Sequence, residues 1–308
     1  MPRLTLFMKL FLFCLCGAQI AAQAQTAAPA QNWADRPIGK TVADMPSDVY
    51  RFEKHTIDSA DRARRYRIEL SIPLTPAPEG GYSALYMLDG NAAMDTLTEQ
   101  DLASISHDNP PVLVAIGYDV PVRNDVVSRA YDYTPPVYEN GKLLVQPVVR
   151  GRIGGGADVF LEFINNQVKP LARARASIDP KKEYLWGHSY GGLFVLHTLF
   201  TQPDAFARYI MGDPSVWWHD GAVMREWHAF EKGRAAGKRV AILIGTKPRD
   251  PARPAPGPST DTRGAIEEIA KGLRQGEGQV SYETFPQHGH GEMIRVSLER
   301  ALQIAIEP

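Results

Sequence analysis

Cysteine is almost absent from the 308 residues: Cys14 and Cys16 are the only two, and both lie within the first sixteen positions. No disulfide framework or cysteine-rich metal knot is available to the rest of the chain. Charge of one sign is also missing. With 34 basic against 35 acidic residues the net charge is −1, so no broad field draws the protein to nucleic acid or to an anionic membrane. No apolar run approaches the ~20 residues needed to span a bilayer, and no internal repeat is visible. What remains is 44% hydrophobic and 22% charged residues, enough apolar content for a sizeable core.

The cysteines belong to an address. Residues 1–24 combine Arg3 and Lys9 with the apolar run Leu10 to Gly17 and the small-residue pattern Ala22-Gln23-Ala24, the three-part plan of a cleaved secretory signal. Cleavage after Ala24 leaves 284 residues, no cysteine, no integral membrane segment and a charge near −3, because Arg3 and Lys9 leave with the signal. Export to the periplasm is therefore expected. Residues 25–48, rich in Ala, Gln and Pro, read as a mobile or draped arm, and residues 49–308 as one catalytic domain.

Within that domain, short apolar runs alternate with helical patterns. Ala84 to Leu88 and Val112 to Ile116 are apolar on both faces, as central strands of a mostly parallel sheet covered by helices on both sides would be. Further runs at 66–72, 183–186, 209–211, 239–245 and 280–285 fit the same sheet. Helical patterns follow at 158–176, 190–201, 266–273 and 292–306. The fold expected is α/β of the α/β-hydrolase kind. Two segments break the rhythm: 119–156 is long, polar and turn-rich, and 247–261 holds five prolines.

Gly187-His188-Ser189-Tyr190-Gly191 places G-x-S-x-G between a predicted strand and a predicted helix. The glycines permit a tight, strained turn that raises the serine hydroxyl above the sheet at a helix N-terminus. There the Tyr190 N–H can stabilise an oxyanion. Serine needs a base, and in this fold the histidine comes last in the chain. His288 and His290 compete for the place after the last strand, and His290, followed by Gly291 and the terminal helix, is preferred. No third ligand stands at metal spacing from them, so neither a metal nor a cofactor is expected. The acid should follow the strand at 239–245. Asp250 and Asp261 are the candidates, neither in a recognisable context, and a Ser–His dyad is the alternative. A second oxyanion donor is expected at the Asn91 N–H, in the turn Asp89-Gly90-Asn91.

Taken together, Tyr86-Met-Leu-Asp-Gly-Asn91, Val114-Ala-Ile-Gly-Tyr118, Ser128-Arg-Ala-Tyr-Asp-Tyr-Thr-Pro135, Trp186-Gly-His-Ser-Tyr-Gly-Gly-Leu-Phe194 and Gly289-His-Gly291 resemble the periplasmic siderophore trilactone esterases. These form part of the esterase-D-like branch of the α/β-hydrolases. The resemblance runs from about Pro46 to the C-terminus. It implies hydrolysis of the serine esters in enterobactin-type catecholate macrolactones, ferric or iron-free, with Ser189 as nucleophile, His290 as base and Arg129 facing the substrate. Members of this branch are described as lacking a well-placed acid. The 247–261 loop departs from the family's pattern.

A ferric tris-catecholate is a bulky trianion, so a slightly acidic protein must meet it with local positive charge. The 119–156 segment offers Arg123, Arg129, Arg150 and Arg152. Guanidinium groups also stack on aromatic rings, and Tyr131, Tyr133 and Tyr138 add aromatic surface. The competing readings are a general exported carboxylesterase or acyltransferase of the same fold, and a siderophore-binding protein with weak hydrolysis.

Overall fold

The computed structural model describes residues 36–248 and 262–307. The expected signal at 1–24, the first part of the arm, and Asp250 and Asp261 lie outside the described residues. Residues 36–48 drape over the domain: Pro37 bridges Val122, and Val42–Asp44 form one 3-10 turn closed by mutual capping of Thr41 and Asp44. Val42 is buried in the core beside Tyr50.

The first half of the chain forms β1 (Tyr50–Asp58), β2 (Arg65–Pro73), β3 (Tyr82–Met87), α1 (Gly90–Thr96), α2 (Glu99–Ser104), β4 (Val112–Tyr118) and α3 (Ser128–Asp132). Two small hairpins follow, β5 (Tyr138–Glu139) with β6 (Lys142–Leu143), and β7 (Val148–Val149) with β8 (Arg152–Ile153). The remainder comprises α4 (Ala157–Phe163), α5 (Lys169–Arg175), β9 (Ile178–His188), α6 (Tyr190–Thr201), β10 (Arg208–Gly212), α7 (Trp218–Ala229), β11 (Arg239–Gly245), α8 (Thr262–Gln275), β12 (Gln279–Phe285) and α9 (Met293–Ile306).

Eight strands form one sheet in the order β1-β2-β4-β3-β9-β10-β11-β12. From β4 to β12 every neighbouring pair is parallel, whereas β2 runs antiparallel to both β1 and β4. Side chains alternate between two cores, as a strand period of two requires. Ala84, Tyr86, Val112, Val114 and Ile116 face one core with Leu193 and Phe194 of α6, and Leu85, Met87, Leu113 and Ala115 face the other with Leu298 and Leu302 of α9. Helix α6, which begins immediately after the serine, is buried on nearly all sides. That burial locks the strand-to-helix turn preceding it.

One polar group in α6 is an exception. His197 has no exposed surface, and its two ring nitrogens meet Glu226 of α7 at 2.9 Å and Asp158 of α4 at 3.1 Å. Burial alone would push its pKa down. The two carboxylates override that and raise it to about 9, so a buried imidazolium ties three helices together at neutral pH. A raised folded-state pKa contributes stability that is complete below the unfolded value near 6.5 and is lost as pH climbs through about 9. A rise of that size corresponds to a contribution on the order of 3 kcal/mol. The wild-type melting temperature should therefore fall between about pH 7 and pH 10 more steeply than that of His197→Gln, measured by thermal denaturation across that range. Parallel slopes would show that His197 is neutral in the fold.

Candidate active site

β9 ends at His188, and Ser189 follows at φ 61° and ψ −116°, backbone that L-residues rarely adopt. Three hydrogen bonds hold it there. The Ser189 N–H donates to the Gly212 carbonyl at 2.9 Å, and the Ser189 carbonyl accepts from the Leu193 and Ser215 N–H groups, each at 3.0 Å. The turn is so tight that a Cβ on Gly187 would stand 2.4 Å from the Gly191 backbone. Only glycine fits at 187.

The loop between β12 and α9 carries His290, which reaches over this turn. Its Nε2 lies 3.0 Å from Ser189 Oγ. Its backbone carbonyl accepts a hydrogen bond at 2.8 Å from Nε2 of His188, a buried ring 4.9 Å from the His290 ring. Burial, and then the nearby His290, push the His188 pKa well down, so His188 is a neutral donor whose proton sits on Nε2. The rival candidate His288 instead serves the loop's backbone, its carbonyl accepting from Lys247 N–H.

Behind His290 stands a carboxylate that sequence reasoning missed. Asp213 follows β10 directly and its Oδ2 is 3.4 Å from His290 Nδ1. Its other oxygen, Oδ1, accepts from Gly245 N–H at 2.9 Å, and its side chain is only 10% exposed. Asp213 is itself left-handed, at φ 42°, with its N–H donated to the Leu243 carbonyl. Ser189, His290 and Asp213 thus stand in line, a hydroxyl, an imidazole and a carboxylate able to serve as nucleophile, base and acid, with the carboxylate on the loop after β10. The residues still follow the chain order Ser, Asp, His. His188, Asp213 and His290 could also offer three ligand atoms within 4.8 Å of one another. Each of the three already holds a protein hydrogen bond or ion pair, which suits a catalytic relay.

The turn after β3 packs on the start of α6: a Cβ on Gly191 would lie 3.4 Å from Leu88 and 3.7 Å from Asp89 Oδ2. Asn91 sits in this turn with its side chain fully engaged. Its Nδ2 donates to the carbonyls of Tyr118 and Val122, and its Oδ1 accepts from Tyr118 N–H. Asn91 therefore ties α1 to the end of β4, and only its backbone N–H is left for an oxyanion.

The arginines divide. Arg129 is 7% exposed, and its guanidinium makes two parallel 2.7 Å bonds to Asp89, so its charge is already paired and it does not face solvent. Where the sequence reading set Arg129 toward the substrate, the structure places its guanidinium on the Asp89 turn, which Tyr133 holds from the other side by accepting the Asp89 N–H at 2.9 Å. Arg123 is likewise paired, with Asp95 at 2.7 Å. Tyr131 lies under the Arg64 guanidinium, 4.5 Å from its ring centre, and its carbonyl accepts from the Gly156 N–H at 2.9 Å, just after β8. Arg150 and Arg152 flank the tip of the second hairpin, where Arg150 lies 4.2 Å from the ring centre of Trp217, a residue the sequence did not single out.

The chain is similar to known proteins in sequence and in fold. A sequence model of the family described as "Putative esterase" matches residues 59–298. The chain is 35% identical over 292 residues to an apo-salmochelin esterase of Escherichia coli, covering 94% of this chain and 86% of that protein. It is 31% identical over 263 residues to the ferri-bacillibactin esterase BesA of Bacillus subtilis, covering 83% of this chain and 90% of the other. Among solved structures it resembles that of the enterobactin hydrolase IroE in complex with DFP, with TM-score 0.74, 32% identity, and coverage of 87% of this chain and 99% of that one.

Asp213→Asn keeps an oxygen for the Gly245 N–H while removing the charge behind His290. It should lower kcat on an aryl acetate by roughly a hundredfold to ten-thousandfold, with KM moved by less than about threefold and the melting curve preserved. Steady-state kinetics with a parallel thermal melt checks this. A kcat within about twofold of wild type would mean that a Ser–His dyad suffices.

Proposed function

The chain belongs to this esterase family of carboxylic ester hydrolases, and on that premise we propose that it cleaves the ester bonds of catecholate macrolactone siderophores of the enterobactin type, thereby helping iron to leave. The observation that carries the reading is the 3.0 Å contact between His290 Nε2 and a Ser189 hydroxyl held on strained backbone. Support for the substrate comes from the relatives, whose names specify salmochelin, bacillibactin and enterobactin. The sequence address argues for the periplasm as the place of action. No helix among the described residues is long and apolar enough to cross a membrane.

Ser189 Oγ attacks a lactone carbonyl while His290 Nε2 takes its proton, and Asp213 stabilises the imidazolium. Negative charge on the carbonyl oxygen is met by the Tyr190 N–H at the N-terminus of α6 and by the Asn91 N–H. As the tetrahedral intermediate collapses, His290 returns the proton to the departing seryl oxygen, leaving an acyl group on Ser189. Water, deprotonated by His290, then releases the acid. Each cycle converts one ester into one carboxylic acid and one alcohol, so the first turnover opens the trilactone to a linear trimer. The macrocycle preorganises the catechol arms around iron, and opening it weakens the chelate. Iron enters as part of the substrate.

Incubating the purified protein with enterobactin, with and without iron, and separating the products by chromatography should reveal linear fragments that Ser189→Ala does not form. Unchanged product formation by Ser189→Ala would remove the serine mechanism. Absence of fragments in both iron states, alongside turnover of aryl acetates, would leave a general carboxylesterase.

A further inference from the structure

The imidazole that meets Ser189 is not packed into the core. The His290 side chain is 54% exposed, and the residues from Pro286 to Glu292 are all exposed or half-buried. A side chain on such a loop moves with its backbone unless a rigid element fixes it. Proton transfer, by contrast, needs its two heavy atoms within hydrogen-bond reach. Several bonds close the loop on itself and onto the end of β11. The His288 N–H donates to the Phe285 carbonyl, the Lys247 N–H to the His288 carbonyl, and the Gly289 N–H to the Glu292 carboxylate at 2.7 Å. These shape the loop on either side of residue 290, and none of them runs to the turn that carries Ser189.

The bond from His188 does. Its Nε2 lies 2.8 Å from the His290 carbonyl, and a carbonyl only accepts, so His188 is the donor. Residues 188 and 189 are consecutive, and together they grip the histidine at two points: Ser189 Oγ at the ring, at 3.0 Å, and His188 at the backbone. His188 is itself held firmly. It is the last residue of β9, in register with Gly212 of β10, and 8% exposed; a Cβ on Gly212 would touch its ring at 3.5 Å. The same Gly212 accepts the Ser189 N–H, so one point of β10 backs both residues. Burial first, and then the nearby His290, keep His188 neutral, which leaves no second cation beside an imidazolium formed on His290.

We propose that His188 is a positioning residue for ester hydrolysis: its Nε2–H tethers the backbone of an exposed loop to the rigid end of β9 and so fixes the height of the His290 ring over Ser189. This inference rests on the esterase reading above, in which His290 is the base, and deepens it. The residue before the nucleophile then has a task beyond filling space. Cutting the tether leaves the serine on its strained turn and lets the base drift from it, and a misplacement of about 1 Å is enough to cost on the order of a hundredfold in rate.

Three variants of the full chain separate the tether from the packing of a ring. Glutamine brings an amide N–H close to the Nε2 position, asparagine carries the same amide but falls short of it, and leucine fills the site without a donor. On an aryl acetate, His188→Leu and His188→Asn should lose roughly tenfold to a hundredfold in kcat with KM moved by less than about threefold, whereas His188→Gln should stay within about fivefold of wild type. Deuterium exchange in the peptide spanning 286–292 should quicken in His188→Leu and His188→Asn and not in His188→Gln. Where a thermal melt shows that the leucine variant does not fold, the contrast between asparagine and glutamine decides. A kcat within about twofold of wild type in His188→Asn, or equal losses in His188→Asn and His188→Gln, overturns the proposal. Ser189→Ala is scored separately. Hydrolysis by it as fast as by wild type defeats the esterase reading, while quicker exchange of 286–292 in His188→Asn than in His188→Gln still supports His188 as the tether of the loop.

Discussion

Ser189 occupies backbone that an isolated serine avoids, and the surrounding chain exists in large part to keep it there. Gly187 and Gly191 approach too closely for any side chain at 187, and helix α6 is buried on nearly all sides, so the turn cannot relax by shifting the helix. The Ser189 N–H and carbonyl are both tied to the loop after β10, through Gly212 and Ser215. A strained residue persists only where neighbours over-determine it. Here the same segment that holds the serine also brings Asp213 to His290, so the placement of Ser189 and of Asp213 is one structural event.

That economy explains what can and cannot be read from the sequence. The elbow is legible because its chemistry is local: five consecutive residues between an apolar run and a helical pattern. β4 and β11 coincide with the expected runs at Val112–Tyr118 and Arg239–Gly245, and α6 with 190–201, because their residues are buried on both faces and carry an unbroken signal. β1 carries no such signal. It lies at the sheet edge, where exposed Arg51 and Lys54 flank the partly buried Phe52 and Glu53, a pattern with little apolar contrast. Asp213 is silent in the sequence because its role depends on two loops meeting in space, and Asp-Pro-Ser by itself reads as an ordinary turn.

Charge shows the same limit. The residues from 119 to 156 contain several arginines, and composition treats them alike. Their settings differ: Arg129 is buried against Asp89 and Arg123 bonds Asp95, while Arg150, at the tip of a hairpin, lies over an indole ring. A net charge of −1 thus hides arginines in different settings, buried against the Asp89 turn at 129 and exposed at a hairpin tip at 150. Trp217, over whose ring the Arg150 guanidinium lies, is more than sixty positions from Arg150, and only the folded chain brings the two together.

Everything in this mechanism passes through one covalent species, the acyl group on Ser189. Acid-quenching the protein during turnover of the trilactone, followed by mass analysis of its peptides, tests this most directly. An acyl adduct on the peptide containing Ser189, and on no other, is the predicted result. Sustained turnover with no adduct on that peptide, together with continued activity of Ser189→Ala, would contradict it.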